Sequence, residues 1–102
     1  MGFGNLAKMA QQMQADMARA EAELTQLRVE GSAGGGAVKV VVTGKRDLVS
    51  IEIDKDVVDP EDVEMLQDLV LAAVTDAMQA AKKAEEDRMA RITGGLKIPG
   101  MG

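Results

Sequence analysis

At 102 residues the chain has room for one domain. With no cysteine it has no disulfide or thiolate metal site, which fits a reducing cytosol; with no histidine and two serines it has almost nothing to build a nucleophile–base pair from. Its formal charge of −5 makes a polyanionic partner unexpected, and no stretch approaches the roughly 18 apolar residues of a membrane span.

Hydrophobic residues make up 46% of the chain, yet Phe3 is the one aromatic, so the core must be built from Ala, Val, Leu, Ile and Met. A small domain buries a modest share of its surface, and part of the stability is expected to come from a second copy. The first residues, "MGFGNLAKMA", lack the basic segment and unbroken apolar run of a secretory signal. A soluble, intracellular protein is the expectation.

Asn5 suits a helix N-cap, and the helix it would open runs to about Leu27. Leu6, Ala10, Met13, Met17, Ala20, Leu24 and Leu27 recur at spacings of four and three, a heptad stripe over about three repeats. The stripe fits a helix lying on its own core and a helix paired with a partner equally well. Methionine at these positions favours adaptable packing over a cofactor pocket.

"GSAGGG", residues 31–36, ends the helical region and permits the chain to reverse. "AVKVVVTG" is dense in β-branched residues and reads as a strand. A turn near Gly44–Asp47 leads to "LVSIEI", where Val49, Ile51 and Ile53 alternate with Ser50 and Glu52. That alternation predicts one buried and one wet sheet face. "LRVEG" supplies a third, short strand, and an antiparallel meander is the natural assembly.

"DPED", residues 59–62, predicts a helix start with Asp59 as N-cap and Pro60 in the first helical position. Neither proline nor glycine interrupts the run from there to Thr93. Such a helix is about 48 Å long at about 1.5 Å per residue. A compact domain of this size has a radius of gyration of about 13 Å, so the helix cannot lie wholly on its own domain. Its first half, with Val63, Leu66, Leu69, Val70, Ala73, Val74 and Ala77, is expected to be buried; its second, "KKAEEDRMAR", is expected to project. One domain over 1–93 and a flexible glycine-rich tail over 94–102 complete the organisation.

The charges are sorted along the chain. Residues 1–46 hold six Lys/Arg against four Asp/Glu, residues 47–81 one against ten, and residues 82–102 five against three. The acid is confined to the second hairpin strand and the start of the long helix. Lys8, Gln12, Arg19 and Gln26 lie near one line of the first helix. Cationic helix ends could therefore touch phosphate while the acidic body stays away. Ordinary solvation is the favoured reading on the residues alone, because Lys82–Glu86, Lys83–Asp87 and Asp87–Arg91 are i,i+4 pairs that need no ligand.

Catalytic and metal chemistry finds no support. "TGKRD" has Lys39 where a phosphate loop needs its leading glycine, and Arg46 where it needs Ser or Thr. Asp54, Asp56 and Asp59 resemble the start of a calcium loop but lack the following glycine and the distal glutamate spacing. They read as carboxylates leading into a helix. No enzyme is expected.

Four stretches, in order and spacing, resemble the YbaB/EbfC family of bacterial nucleoid-associated proteins: "NLAKMAQQMQ", "GGGAVKVVVTGKRDLVSIEID", "DPEDVEMLQDLVLAAVTDA" and "ITGGLKIPG". Together they cover nearly the whole chain. The resemblance implies a homodimer with an α/β body and paired projecting helices. It also implies binding of double-stranded DNA with little sequence preference, and a role in organising the nucleoid or regulating gene expression. Carried onto this chain, the implicated residues are Lys8 and Arg19 on the first helix and Lys82, Lys83, Arg88 and Arg91 on the second.

The expectation is thus an α+β fold of helix, three-stranded meander and long helix, acting in the cytoplasmic nucleoid. No cofactor, metal, membrane or small-molecule substrate is expected. The alternative from another class is a dimeric adaptor whose helices clamp a protein partner, which the heptad stripe and methionines would serve equally well.

Overall fold

The computed structural model of the chain describes residues 3–93 and has the α+β architecture that the residue pattern predicts. Helix α1 spans Phe3–Gln26, strands β1 (Arg28–Ala33), β2 (Val38–Thr43) and β3 (Leu48–Ile53) follow, and helix α2 spans Val63–Thr93. The sheet is an antiparallel meander in the order β1-β2-β3. The expected tail over 94–102 lies outside the described residues.

The core is small and specific. Val38, Val40 and Val42, alternate residues of β2, are fully buried against Ala73, Ala77 and Ala81, spaced four apart on one stripe of α2. Alanine on the helix brings its backbone close to the sheet, and Gly31 of β1 completes the fit, since a Cβ there would stand 2.2 Å from the Ala77 backbone nitrogen. Gly31 is therefore a strand residue and not part of the reversal. That reversal is made by Gly34, Gly35 and Gly36, all at positive φ. At the other end Leu24 of α1 is fully buried, and its carbonyl accepts from the Gly44 N–H at 2.8 Å.

Several expectations are corrected. Asn5 lies inside α1 rather than at its cap: Gly4 costs a helix only about 1 kcal/mol and does not stop it. The DPED start moves three residues along. Asp59 Oδ1 accepts from the Glu61 N–H at 2.9 Å in a turn, and Asp62 Oδ1 caps α2 by accepting from the Met65 N–H at 3.1 Å. The heptad stripe is used only at its end, where Ala20 and Leu24 are buried while Leu6 and Met17 stay exposed. On α2, Val63, Met65 and Leu71 are exposed, so its first half is not enclosed on all sides.

The largest correction concerns β3, expected to bury one face and exposed in this chain at all six positions. Its Ile53 and Ile51 are paired with Val38 and Val40 and continue the same sheet face. Helix α2 packs on β1 and β2, so that face runs uncovered onto the edge strand.

Candidate nucleic-acid interface

The molecule is elongated, 72 × 29 × 16 Å with a radius of gyration of 19.6 Å, against about 13 Å for a compact domain of this length. Its two ends are chemically different. The β1–β2 turn meets the start of α2, where Gly34 faces Leu69, and the end of β3 returns there through the Asp54 N–H, which donates to the Ala37 carbonyl at 2.8 Å. Glu52, Asp54, Asp56, Asp59, Asp62 and Glu64 belong to this base, with Lys39 and Lys55 the cations nearby in sequence. The β2–β3 turn, the C-terminal part of α1 and the second half of α2 make the opposite end.

Beyond the body the two helices run antiparallel and touch. Residues Asp16, Arg19, Ala20 and Glu23 of α1 share a groove with Arg88, Arg91 and Ile92 of α2. From this register the N-terminal half of α1 extends past the described end of α2 by more than three turns, carrying Lys8. Among the described residues that half, more than α2, is the free arm. Helix α2 stays tied to the body as far as Glu85, which the hairpin turn grips.

The six implicated cations fall into two sets. Arg19 and Arg88 are engaged: Arg19 Nη1 lies 3.6 Å from Asp16 Oδ1, and Arg88 Nη1 donates to Glu23 Oε2 across the helix pair. Among the described residues, Lys8, Lys82, Lys83 and Arg91 take part in no ion pair. The i,i+4 pairs expected along "KKAEEDRMAR" are therefore absent, and solvation by those pairs does not account for these charges. Lys82 and Lys83 follow immediately on the buried Ala81, which sets them where α2 leaves the sheet rather than at a tip. All three structural groupings (groove, helix junction and arm) lie at the end away from the acidic base.

Lys45 and Arg46, which the sequence shows only as a basic turn, have a structural task. Lys45 Nζ lies 3.5 Å from Glu21 of α1 and 3.7 Å from Glu85 of α2, and Arg46 Nη2 donates to Glu85 at 3.3 Å. Arg46 holds φ at 70° to turn the chain there, inside the left-handed region. The hairpin tip thereby cross-links the two helices, and its cations are neutralised. No spacing rule in the sequence reveals pairs separated by 24 to 65 positions; only the fold brings them together.

No described helix is long and apolar enough to cross a membrane. Among the described residues no cluster of three or more acidic, His or Cys groups is arranged to hold a metal ion.

A family model described as the YbaB/EbfC DNA-binding family matches residues 1–96. The chain belongs to the YbaB/EbfC family. It is 53% identical over 99 residues to a nucleoid-associated protein of Alkaliphilus metalliredigens, covering 97% of this chain and 87% of that one. A nucleoid-associated protein of Pelotomaculum thermopropionicum is 54% identical over 101 residues, covering 96% of each. Among solved structures, the uncharacterized protein HP0035 from Helicobacter pylori superposes with a TM-score of 0.72 at 27% identity, covering 95% of this chain and 99% of that one. The YbaB/EbfC membership agrees with the helix–meander–helix order seen here.

Proposed function

We propose that this protein is a homodimeric nucleoid-associated protein that binds duplex DNA with little sequence preference. Lys8, Lys82, Lys83 and Arg91 supply the first phosphate contacts, with Arg19 and Arg88 joining when their carboxylates release them. The observation that carries the reading is the polarity of the long axis: Lys8, Lys82, Lys83 and Arg91, without ion-pair partners among the described residues, lie away from the base where Glu52, Asp54, Asp56, Asp59, Asp62 and Glu64 outnumber Lys39 and Lys55. A chain of net charge −5 is repelled by DNA as a whole but can approach it cation-end first. Membership in a DNA-binding family and relatives named as nucleoid-associated proteins support the same reading.

Dimerisation is inferred from uncovered apolar surface. Leu48, Ile51 and Ile53 of the edge strand are 53%, 41% and 41% exposed, and Val58 and Val63 beyond it are 50% and 53% exposed. An open edge strand with bare apolar side chains is a pairing surface, and a second copy covers it. Two copies double the cations presented to one duplex.

The mechanism is phosphate neutralisation with counterion release, without reading of base edges. With about four contacts per subunit, log K against log salt falls with a slope near −7 for the dimer. A titration of random-sequence duplex against salt tests this, and a nearly flat line overturns it. The adaptor reading draws on a different observation, the exposed Leu6, Met9 and Met17 along α1. Failure to shift random duplex at physiological salt would favour that reading.

A further inference from the structure

The groove between α1 and α2 gathers three guanidiniums, Arg19 from α1 and Arg88 and Arg91 from α2, around an apolar floor of Ala20 and Ile92. They are not equally available. Arg88, with 30% of its side chain exposed, is held by Glu23 from the other helix. Arg19 sits 3.6 Å from Asp16 with 67% of its side chain exposed, a loose contact beyond good hydrogen-bond length. Arg91 makes no ion pair among the described residues.

A guanidinium fork receives a carboxylate and a phosphate with the same planar two-oxygen geometry, so each can stand in for the other. We propose that this groove is a phosphate-binding site occupied by the protein's own carboxylates, with Glu23 the principal competitor that a DNA phosphate must displace from Arg88. The inference rests on the DNA-binding reading above and adds where a backbone phosphate sits and what restrains its binding. The lining side chains carry three positive charges and two negative. Displacing Glu23 outward toward solvent, where its side chain is already 49% exposed, leaves the arginines facing the phosphate.

A pair that merely staples α1 to α2 would look the same at rest and differ in its response to mutation. The full chain and its Glu23→Gln, Glu86→Gln, Arg88→Gln and Glu23→Gln/Arg88→Gln variants are titrated with random-sequence duplex between about 50 and 200 mM salt. Glu86→Gln removes the same charge from a residue of the same helix pair that makes no ion pair, and so reports the general gain from lower negative charge. Glu23→Gln should tighten binding by about two- to fivefold per subunit beyond Glu86→Gln. It should also steepen the salt slope by about 0.9 per subunit. The extra gain should vanish in the double variant.

Equal affinities for Glu23→Gln and Glu86→Gln, or a gain that persists without Arg88, overturn the inference while leaving DNA binding intact. No binding by any variant, the parent included, overturns the inference together with the reading beneath it.

Discussion

Gly31 of β1 and Ala77 of α2 lie so close that a Cβ on Gly31 would stand 2.2 Å from the Ala77 nitrogen and 2.6 Å from its Cα. Both obstructing atoms are backbone, so no rotamer change relieves the clash. Gly31→Ala must push the helix off the sheet and open the Val38–Val40–Val42 core. The expected loss is about 3 kcal/mol, the upper range for overpacking, read from denaturant midpoints at fixed protein concentration. A loss below about 1 kcal/mol would show that the helix stands further from the strand.

Ile51 is expected to hold two copies together. It continues the sheet face of Val40 but is 41% exposed in the single chain. Ile51→Asp puts a charge on that face and should halve the solution mass measured by sedimentation. Helix content should change little, because Ile51 lies outside the buried cluster. A dimer that survives the substitution would move the contact elsewhere.

Lys82→Glu combined with Lys83→Glu reverses two exposed charges that make no ion pair among the described residues. Affinity should fall alike for duplexes of different sequence. The salt slope should shrink by about 1.8 per subunit if both lysines meet phosphate. Unchanged binding removes both from the interface.

Asp62, and not Asp59, is expected to carry the cap of α2. Asp62→Ala leaves the Met65 N–H without its side-chain acceptor and should cost about 1 kcal/mol, while Asp62→Asn, which keeps an oxygen there, should cost little. Thermal unfolding of the two variants compares them directly, and equal losses would deny the cap its role.

Much of the fold is legible in the residues because its signals are local. Three strands, two helices and the turn at Gly44–Asp47 follow from β-branched runs, heptad spacing and glycine placement, each decided within a few positions. Charge sorting is likewise visible, since the acids cluster in one continuous stretch. What local signals misplace is instructive. Asp59 and Asp62 both suit a cap, and the choice between them falls to the turn at Asp59–Pro60, whose backbone closes before the helix can begin.

The candidate site was legible in part. The positions of Lys8, Arg19, Lys82, Lys83, Arg88 and Arg91 on helices could be read; which of them are engaged could not. The i,i+4 rule assigns Lys83 to Asp87, yet neither makes an ion pair among the described residues, whereas Arg88 meets Glu23 from 65 positions away. A pair on one exposed helix contributes a few tenths of a kcal/mol, too little to hold two long side chains together.

By itself the sequence determined the order of elements, the light aliphatic core, the absence of thiol and imidazole chemistry, and the division of the chain into acidic and basic stretches. Tertiary structure decided which strand face stays bare, which cations the hairpin turn neutralises, and that the N-terminal half of α1 is the free arm. Periodicity and composition act through neighbours along the chain. The exposure of β3 and the Arg88–Glu23 pairing instead depend on where one helix crosses a sheet and how far it overlaps another, which distant side chains settle only once packed.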